Sequence, residues 1–170
     1  STEENNGELI IIGSSGNNNE NVSRHNSKTL DIIDNASCPT LIIPPNTNYK
    51  GFSKVLLAIG YNEISTGALD VLKNVFLKLN SEVHILQSKT NPNLETNLNL
   101  ISQYLPKLNY ISAFLKGKNL NTEIAVYAED NSIDIVALNP PSSTEFSSKL
   151  KRMAQRAINI NSAIPVILLK

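Results

Sequence analysis

Apolar residues in this chain occur in short unbroken runs, which alternate with more polar segments of helical periodicity. Seven runs are predicted to be strands: Leu9–Ile12, Thr40–Ile43, Lys54–Ile59, Glu82–Leu86, Tyr110–Lys116, Ile133–Leu138 and Val166–Leu169. Runs of this length that are apolar at consecutive positions are typical of parallel strands buried on both faces.

The segments between these runs predict helices over residues 29–33, 65–79, 94–105, 119–130 and 144–160. Ser65 is the expected N-cap of the second helix. The buried stripe of that helix is predicted to contain Leu69, Leu72, Phe76 and Leu79. Strands that alternate with helices indicate an α/β fold with a doubly wound, mostly parallel sheet and right-handed crossovers.

An internal repeat divides the chain unequally. Residues 8–43 align without a gap to residues 134–169 at a constant shift of 126 positions, which places Pro39 on Pro165. Residues 52–133 have no counterpart upstream. Because a repeat reports domain organisation directly, we predict the C-terminal part of a first domain over 1–45, a linker over 46–51 and a complete five-stranded second domain over 52–170.

Composition excludes several classes of function. Fifteen basic residues balance fifteen acidic ones, so no net charge attracts nucleic acid or an anionic membrane. No apolar stretch approaches the ~20 residues of a membrane span, and no signal peptide is visible. The single cysteine, Cys38, excludes an internal disulfide and suits a reducing compartment. We therefore expect a cytoplasmic protein that contacts neither nucleic acid nor membrane.

Several motifs of the two copies form a characteristic combination. Those in the complete copy are the first strand Val55–Ile59, the Lys116-Gly117-Lys118 turn and the fourth strand beginning Asp134-Ile135-Val136. Those in the partial copy are Ala36-Ser37-Cys38-Pro39 and Gly13-Ser14-Ser15-Gly16. Together these motifs resemble the universal stress protein family in its tandem form. The resemblance implies the doubly wound fold, with only the C-terminal part of the first domain present.

The resemblance also implies a nucleotide site that can be tested in each copy. Family members that bind ATP present a Gly-x-x-Gly loop after the fourth strand, a Gly-Ser/Thr pair nine residues later and an Asp at the end of the first strand. The complete copy instead has Gly60, Asn139-Pro140-Pro141-Ser142 and Arg152-Met153. Proline lacks the N–H that would reach a phosphate, so we expect no ATP in this copy.

The partial copy keeps the better phosphate loop. Gly13, Gly16 and Ser27 match the family pattern, and Asn26 replaces a glycine. Backbone amides in such loops bind phosphate through the physics of nests and helix dipoles. However, the strands that would hold adenosine are missing from this copy. Two interpretations remain: a vestigial loop with no cofactor, or an ATP site.

Other candidate chemistry is sparse. Lys149, Arg152 and Arg156 share one face of the last predicted helix; they form either a solvated basic face or a site for an anion or partner. His84 lies on a predicted strand and is expected to be a structural, partly buried histidine. No metal-binding spacing and no nucleophile elbow occurs. We therefore predict no catalytic or metal-ligating residue and no enzymatic activity.

The combined interpretation is a non-catalytic regulatory or scaffold protein of the stress response, which acts through domain pairing. In the family, the fifth strands of two domains pair in antiparallel orientation. Here those strands are 40–43 and 166–169, and their pairing leaves 9–12 as an apolar edge. Such an edge predicts a homo-oligomer or an upstream half-domain as partner. The alternative function is an ATP-binding module that uses the Gly13-x-x-Gly16 loop.

Overall fold

A computed structural model describes residues 8–13, 31–33, 35–45, 47–60, 62–116, 120–139 and 163–169. Each of the seven predicted strands is present, as β1 Ile10–Gly13, β2 Thr40–Ile43, β3 Lys54–Gly60, β4 Glu82–Gln87, β5 Tyr110–Phe114, β6 Ile135–Leu138 and β7 Val166–Leu168. The helices are α1 Thr66–Val71, which continues as a π-helical segment Leu72–Phe76, α2 Leu94–Tyr104 and α3 Leu120–Asp130. Residues 31–33 are also helical, whereas the helix predicted over 144–160 lies outside the described residues.

The seven strands form a single sheet in the order β1-β2-β7-β6-β3-β4-β5. Every neighbouring pair is parallel except β2 and β7, which are antiparallel. The α/β fold class is therefore confirmed. Strands from both sides of the predicted linker belong to the same sheet. The prediction that strands 40–43 and 166–169 pair within the chain in antiparallel orientation is also confirmed.

The two repeated segments have the same local geometry. Ile10 pairs with Thr40 in the partial copy as Val136 pairs with Val166 in the complete one, each at the 126-residue shift. The N–H of Ile10 donates to the Pro39 carbonyl at 3.0 Å, and the N–H of Val136 donates to the Pro165 carbonyl, also at 3.0 Å. The sequence repeat is thus also a repeat of strand register.

The antiparallel pair relates these segments by a local two-fold axis. Leu41 lies opposite Ile167, its own equivalent in the repeat. Thr40 lies opposite Leu168, and Ile42 lies opposite Val166. The shift of 126 residues relates Thr40 to Val166 and Ile42 to Leu168, so these two pairs are equivalent. Reciprocal contacts of this kind are the pattern of an isologous interface, here formed within one chain.

Alternation along the strands separates two apolar cores. The α1 face of the sheet, packed against α1 and α2, includes Leu57, Ile85 and Ile101. The α3 face, packed against α3 and the helical residues 31–33, includes Leu56 and Ile33. Helices on both faces bury the central strands completely, which explains their continuous apolar sequences.

The stripe predicted for the first long helix is correct for three of its residues. Leu69, Leu72 and Phe76 are buried, but Leu79 is 55% exposed. The helix widens after α1, where the N–H of Leu77 bonds to the carbonyl of Leu72 at 2.8 Å, five residues back. This widening and the end of the π-helical segment at Phe76 place Leu79 in a turn outside the helix.

Candidate functional site

The carboxyl ends of the strands are where a doubly wound sheet binds its ligands. The ligand site of such folds lies at the switch point, where successive connections leave in opposite directions. In this sheet the switch point is between β3 and β6, because the chain continues from β3 towards β4 and from β6 towards β7. β3 ends at Gly60, whose φ is +66°, and β6 is followed directly by Asn139.

A buried asparagine, Asn97 of α2, binds the loop that follows β3. Its Oδ1 accepts the N–H of Ile64 at 2.8 Å, and its Nδ2 donates to the carbonyl of Asn62 at 3.0 Å. One side chain thus satisfies a donor and an acceptor of the loop backbone. Because buried backbone groups must be paired, Asn97 fixes the loop conformation.

Two further buried asparagines bind the same loop. Asn139 Oδ1 accepts the N–H of Ser65 at 3.0 Å, and its Nδ2 donates to the carbonyl of Glu63 at 2.7 Å. Asn91 Nδ2 donates to the carbonyl of Asn62 at 2.9 Å. We call Asn91, Asn97 and Asn139 the asparagine clamp. Sequence analysis missed it, although an asparagine directly after a buried strand and another directly before Pro92 were visible signals.

Polar groups at this edge are already bonded within the protein. Gly60 offers no carboxylate, and its carbonyl already accepts the N–H of Ser88 at 2.8 Å. Asn139, which begins the loop after β6, has both polar side-chain atoms bonded to the protein. The residues described at the switch point therefore do not fit the family's way of holding adenosine.

Gln87, at the same edge of the sheet, differs from the clamp residues because its side-chain amide is unpaired among the described residues. It ends β4 and is fully buried, and alternation places it on the α1 face with Val83 and Ile85. Among the described residues, neither its Oε1 nor its Nε2 has a hydrogen-bond partner. An unmade bond of a buried amide costs about 1–3 kcal/mol. Gln87 therefore retains capacity to bind a polar group.

The other predicted site residues are not brought together in the described part of the chain. Gly13 ends β1 and is exposed; a Cβ built there would meet no atom within 4 Å, so nothing described packs closely against it. Gly16, Asn26 and Ser27 lie outside the described residues, as do Lys149, Arg152 and Arg156. The Gly13-x-x-Gly16 loop and the basic face therefore stay predictions.

His84 belongs to a polar cluster that joins β3, β4 and α3. It is 3% exposed, with Nε2 at 2.8 Å from Glu82 Oε1 and Nδ1 at 2.8 Å from the Tyr127 hydroxyl. Because an ionised carboxylate only accepts hydrogen bonds, a neutral His84 ring donates through Nε2 and accepts the tyrosine proton at Nδ1. These contacts support the predicted structural role of His84.

Two ionisable groups in this cluster have shifted pKa values. The hydrogen bond from His84 lowers the pKa of Glu82 below its ordinary value; burial opposes the shift, and the charge of Lys54 adds to it. Lys54 Nζ lies 3.7 Å from Glu82 Oε1. Burial, followed by the charge of Glu82, raises the pKa of Tyr127. The described residues contain no group of three or more metal-ligating side chains.

Comparison with solved structures identifies the fold. A universal stress protein from Archaeoglobus fulgidus DSM 4304 superposes with a TM-score of 0.66 over 99% of this chain, at 14% identity. A putative universal stress protein from Pseudomonas aeruginosa UCBPP-PA14 gives a TM-score of 0.57 over 99% of this chain, at 15% identity. The molecule therefore has the universal stress protein fold.

Further comparisons concern the share of each solved structure that this chain covers and the matches to its sequence. This chain spans 63% of the Archaeoglobus structure and 65% of the Pseudomonas one. A protein of unknown function from Pseudomonas aeruginosa PAO1 gives a TM-score of 0.57 at 13% identity. No family model and no curated protein matches the sequence. Among the described residues, no helix is long and apolar enough to cross a membrane.

Proposed function

We propose that this chain is a non-catalytic protein of the stress response that acts in the cytoplasm as a regulator or scaffold, by pairing domains through its sheet. The observation that carries this proposal is the reciprocal antiparallel pair of β2 and β7. Leu41 lies opposite its own repeat equivalent Ile167, and both are buried. A structural repeat that packs on itself in this way supports assembly as the function.

The open end of the sheet supports an assembly role further. Among the described residues, β1 pairs with β2 only, so its outer edge has free backbone groups. Leu9 and Ile11 are exposed apolar residues at this edge. An apolar edge strand is a template for another chain. The proposed partner is a second copy or an upstream half-domain. It contacts this chain through strands 9–12, 40–43 and 166–169.

Light scattering tests the association of the chain. We expect a mass above that of the monomer at micromolar concentration, because the apolar edge is unprotected. An Ile11→Lys variant should lower this mass by placing a charge on the edge. The matched control is Val126→Lys, at an exposed position of α3, which should leave the mass unchanged. A monomeric parent chain throughout the micromolar range would overturn self-association through this edge.

An ATP-binding module is the alternative, and Gln87 is the observation that favours it. A buried amide without a described partner at the carboxyl end of β4 is suited to bind the edge of a base. Against the alternative are Gly60 and the asparagine clamp. Titration calorimetry with Mg²⁺-ATP decides between them. The assembly proposal predicts no heat of binding at millimolar nucleotide.

A matched pair of variants sharpens the calorimetry. Saturable heat that is lost in Gln87→Leu but kept in Gln103→Leu would establish a nucleotide site at the strand ends. Gln103 is an exposed residue of α2, so its substitution controls for the loss of an amide elsewhere. Heat that persists in both variants would instead point to the Gly13-x-x-Gly16 loop.

A further inference from the structure

We infer that β5, the strand at the opposite end of the sheet from β1, binds an extended acidic segment of a partner protein as an additional strand. This edge is separate from β1 and from the β2–β7 pair, so the inference goes beyond the proposed function and does not depend on it. The segment is recognised by backbone hydrogen bonds along β5, by apolar contact on the α3 face and by lysines around the strand.

The outer edge of β5 is open among the residues that the structure describes. β5 pairs with β4 and ends the sheet. The N–H of Leu115, directly after β5, donates to the Gln87 carbonyl of β4 at 3.0 Å. Successive residues of a strand direct their backbone groups to opposite sides, so Ser112 and Phe114 direct theirs away from β4. An added strand bonds to these groups.

The sequence of β5 lacks the features that protect an edge strand. Its five residues, 110–114, include no charged residue and no proline, and its register with β4 is continuous. Natural edge strands are protected by a charge, a proline or a bulge. Two apolar side chains are also exposed, Ile111 to 46% and Phe114 to 36%. β5 is therefore suited to receive another strand.

The two faces of β5 differ in chemistry. Ala113 packs against the core on the α3 face, and Ile111, two residues earlier, lies on the same face. Phe114 lies beside Gln87 on the α1 face, where Lys89 Nζ is 5.4 Å from the centroid of the Phe114 ring. A strand with apolar side chains on the α3 face and acidic ones on the α1 face complements both.

Lysines at both ends of β5 specify the charge of the partner. Lys89 and Lys116 are exposed at its carboxyl end, and Lys107 is exposed in the turn before it. The carboxylate of Glu123 at this carboxyl end accepts the Lys116 N–H at 3.0 Å, and Glu82, at the start of β4, belongs to the polar cluster of β3, β4 and α3. An acidic segment places negative charge beside the lysines in either strand direction.

The same lysines disfavour a second copy of β5 as the occupant. In an antiparallel β5–β5 pair, the start of one strand lies beside the end of the other. Lys107 of each copy would then approach Lys116 of the other copy. Like charges that face each other across paired strands are destabilising, whereas an acidic strand replaces this repulsion by attraction.

Fluorescence polarisation with a defined peptide tests the inference on the full chain. The probe is Glu-Val-Glu-Val-Glu-Val-Glu with a fluorescent label, and we expect saturable binding. Lys89→Glu should weaken this binding by about tenfold or more, because a like charge then faces the probe. Lys73→Glu is the matched control. Lys73 is exposed on the helical segment after α1, so this variant has the same net charge and should bind the probe as the parent does.

Backbone methylation of the probe separates strand pairing from simple attraction between charges. Methylating the N–H groups of all Glu residues blocks one edge of the peptide strand, and methylating those of all Val residues blocks the other edge. One methylated probe should therefore bind like the unmodified peptide, and the other should not bind. Ser112→Pro should also abolish binding, because it removes an outward N–H that β4 does not use. The methylated probes need no variant, so they remain decisive even if Ser112→Pro does not fold.

Four results would overturn the inference. They are no saturable binding of the unmodified probe, equal binding of the two methylated probes, unchanged affinity in Lys89→Glu, and equally tight binding of Lys-Val-Lys-Val-Lys-Val-Lys. The first two would mean that β5 does not pair with a peptide strand, and the last two that its lysines do not select an acidic one. Light scattering of Ile11→Lys concerns the opposite edge of the sheet, so this inference and the proposed function can fail separately.

Discussion

Leu41 of β2 lies directly opposite Ile167 of β7, and the two residues are equivalents in the internal repeat. The local two-fold axis of the sheet therefore passes between them. Leu41 is 6% exposed and Ile167 4%, both within the core on the α1 face. Because the pair joins the partial copy to the complete one, its packing links the stability of both.

Substitution at this pair should destabilise the whole sheet in one transition. We expect Leu41→Ala and Ile167→Ala each to lower the free energy of unfolding by about 2–5 kcal/mol. Neighbouring residues are coupled, so the double variant should deviate from additivity by about 0.5–3 kcal/mol. Urea unfolding measures all three. Val126→Ala, at an exposed position, is the control, with a change within about 0.5 kcal/mol. Two separate transitions would contradict this prediction.

Loss of one clamp asparagine should cost more than loss of an exposed one from the same helix. Asn97→Ala leaves the buried N–H of Ile64 without its partner, whereas the carbonyl of Asn62 keeps the bond from Asn91; one unsatisfied buried group costs about 1–3 kcal/mol. Asn99 is exposed on α2, and Asn99→Ala should change stability little. Thermal unfolding of the pair provides the comparison. Equal melting temperatures would mean that the clamp does not hold the loop.

The widened helix after α1 predicts a contrast between two leucines. Leu72 is 1% exposed and Leu79 is 55% exposed, although both fit the sequence stripe. Leu72→Ala should destabilise by about 2–5 kcal/mol, and Leu79→Ala by less than about 0.5 kcal/mol. Denaturant midpoints report the difference. Similar costs for both would show that the helix continues through Leu79.

The Glu82–His84 contact predicts a specific acid dependence of stability. The folded-state pKa of Glu82 lies below its ordinary 4.5, so the contact stabilises the fold above that pH and is lost as pH falls through the folded pKa. The stability difference between the parent and Glu82→Gln should therefore shrink as pH decreases below about 4.5. In a His84→Phe background, where the hydrogen bond is absent, the difference should be smaller at neutral pH. A difference that grows on acidification would contradict the sign.

The sequence predicts the strands well because burial on both faces leaves a continuous apolar run that few other structures share. The resemblance to the family, applied to the two copies of the repeat, also predicts the antiparallel partner of β2. It does not predict the π-helical widening, since the backbone bond from Leu77 to Leu72 involves no distinctive side chain. The asparagine clamp is also missed, because its contacts join residues that are distant in sequence, such as Asn139 and Ser65. Composition makes asparagine so common here that single occurrences carry little signal.

Native-state hydrogen exchange tests the central claim that the two repeats form one sheet through β2 and β7. If the pairing is structural, the hydrogen-bonded amides of β2 and β7 should exchange only through global unfolding, with the same opening free energy as those of β3. Exchange of β2 amides through a smaller opening, while β3 and β7 stay protected, would contradict the claim. It would show that the partial copy is only loosely attached to the complete one.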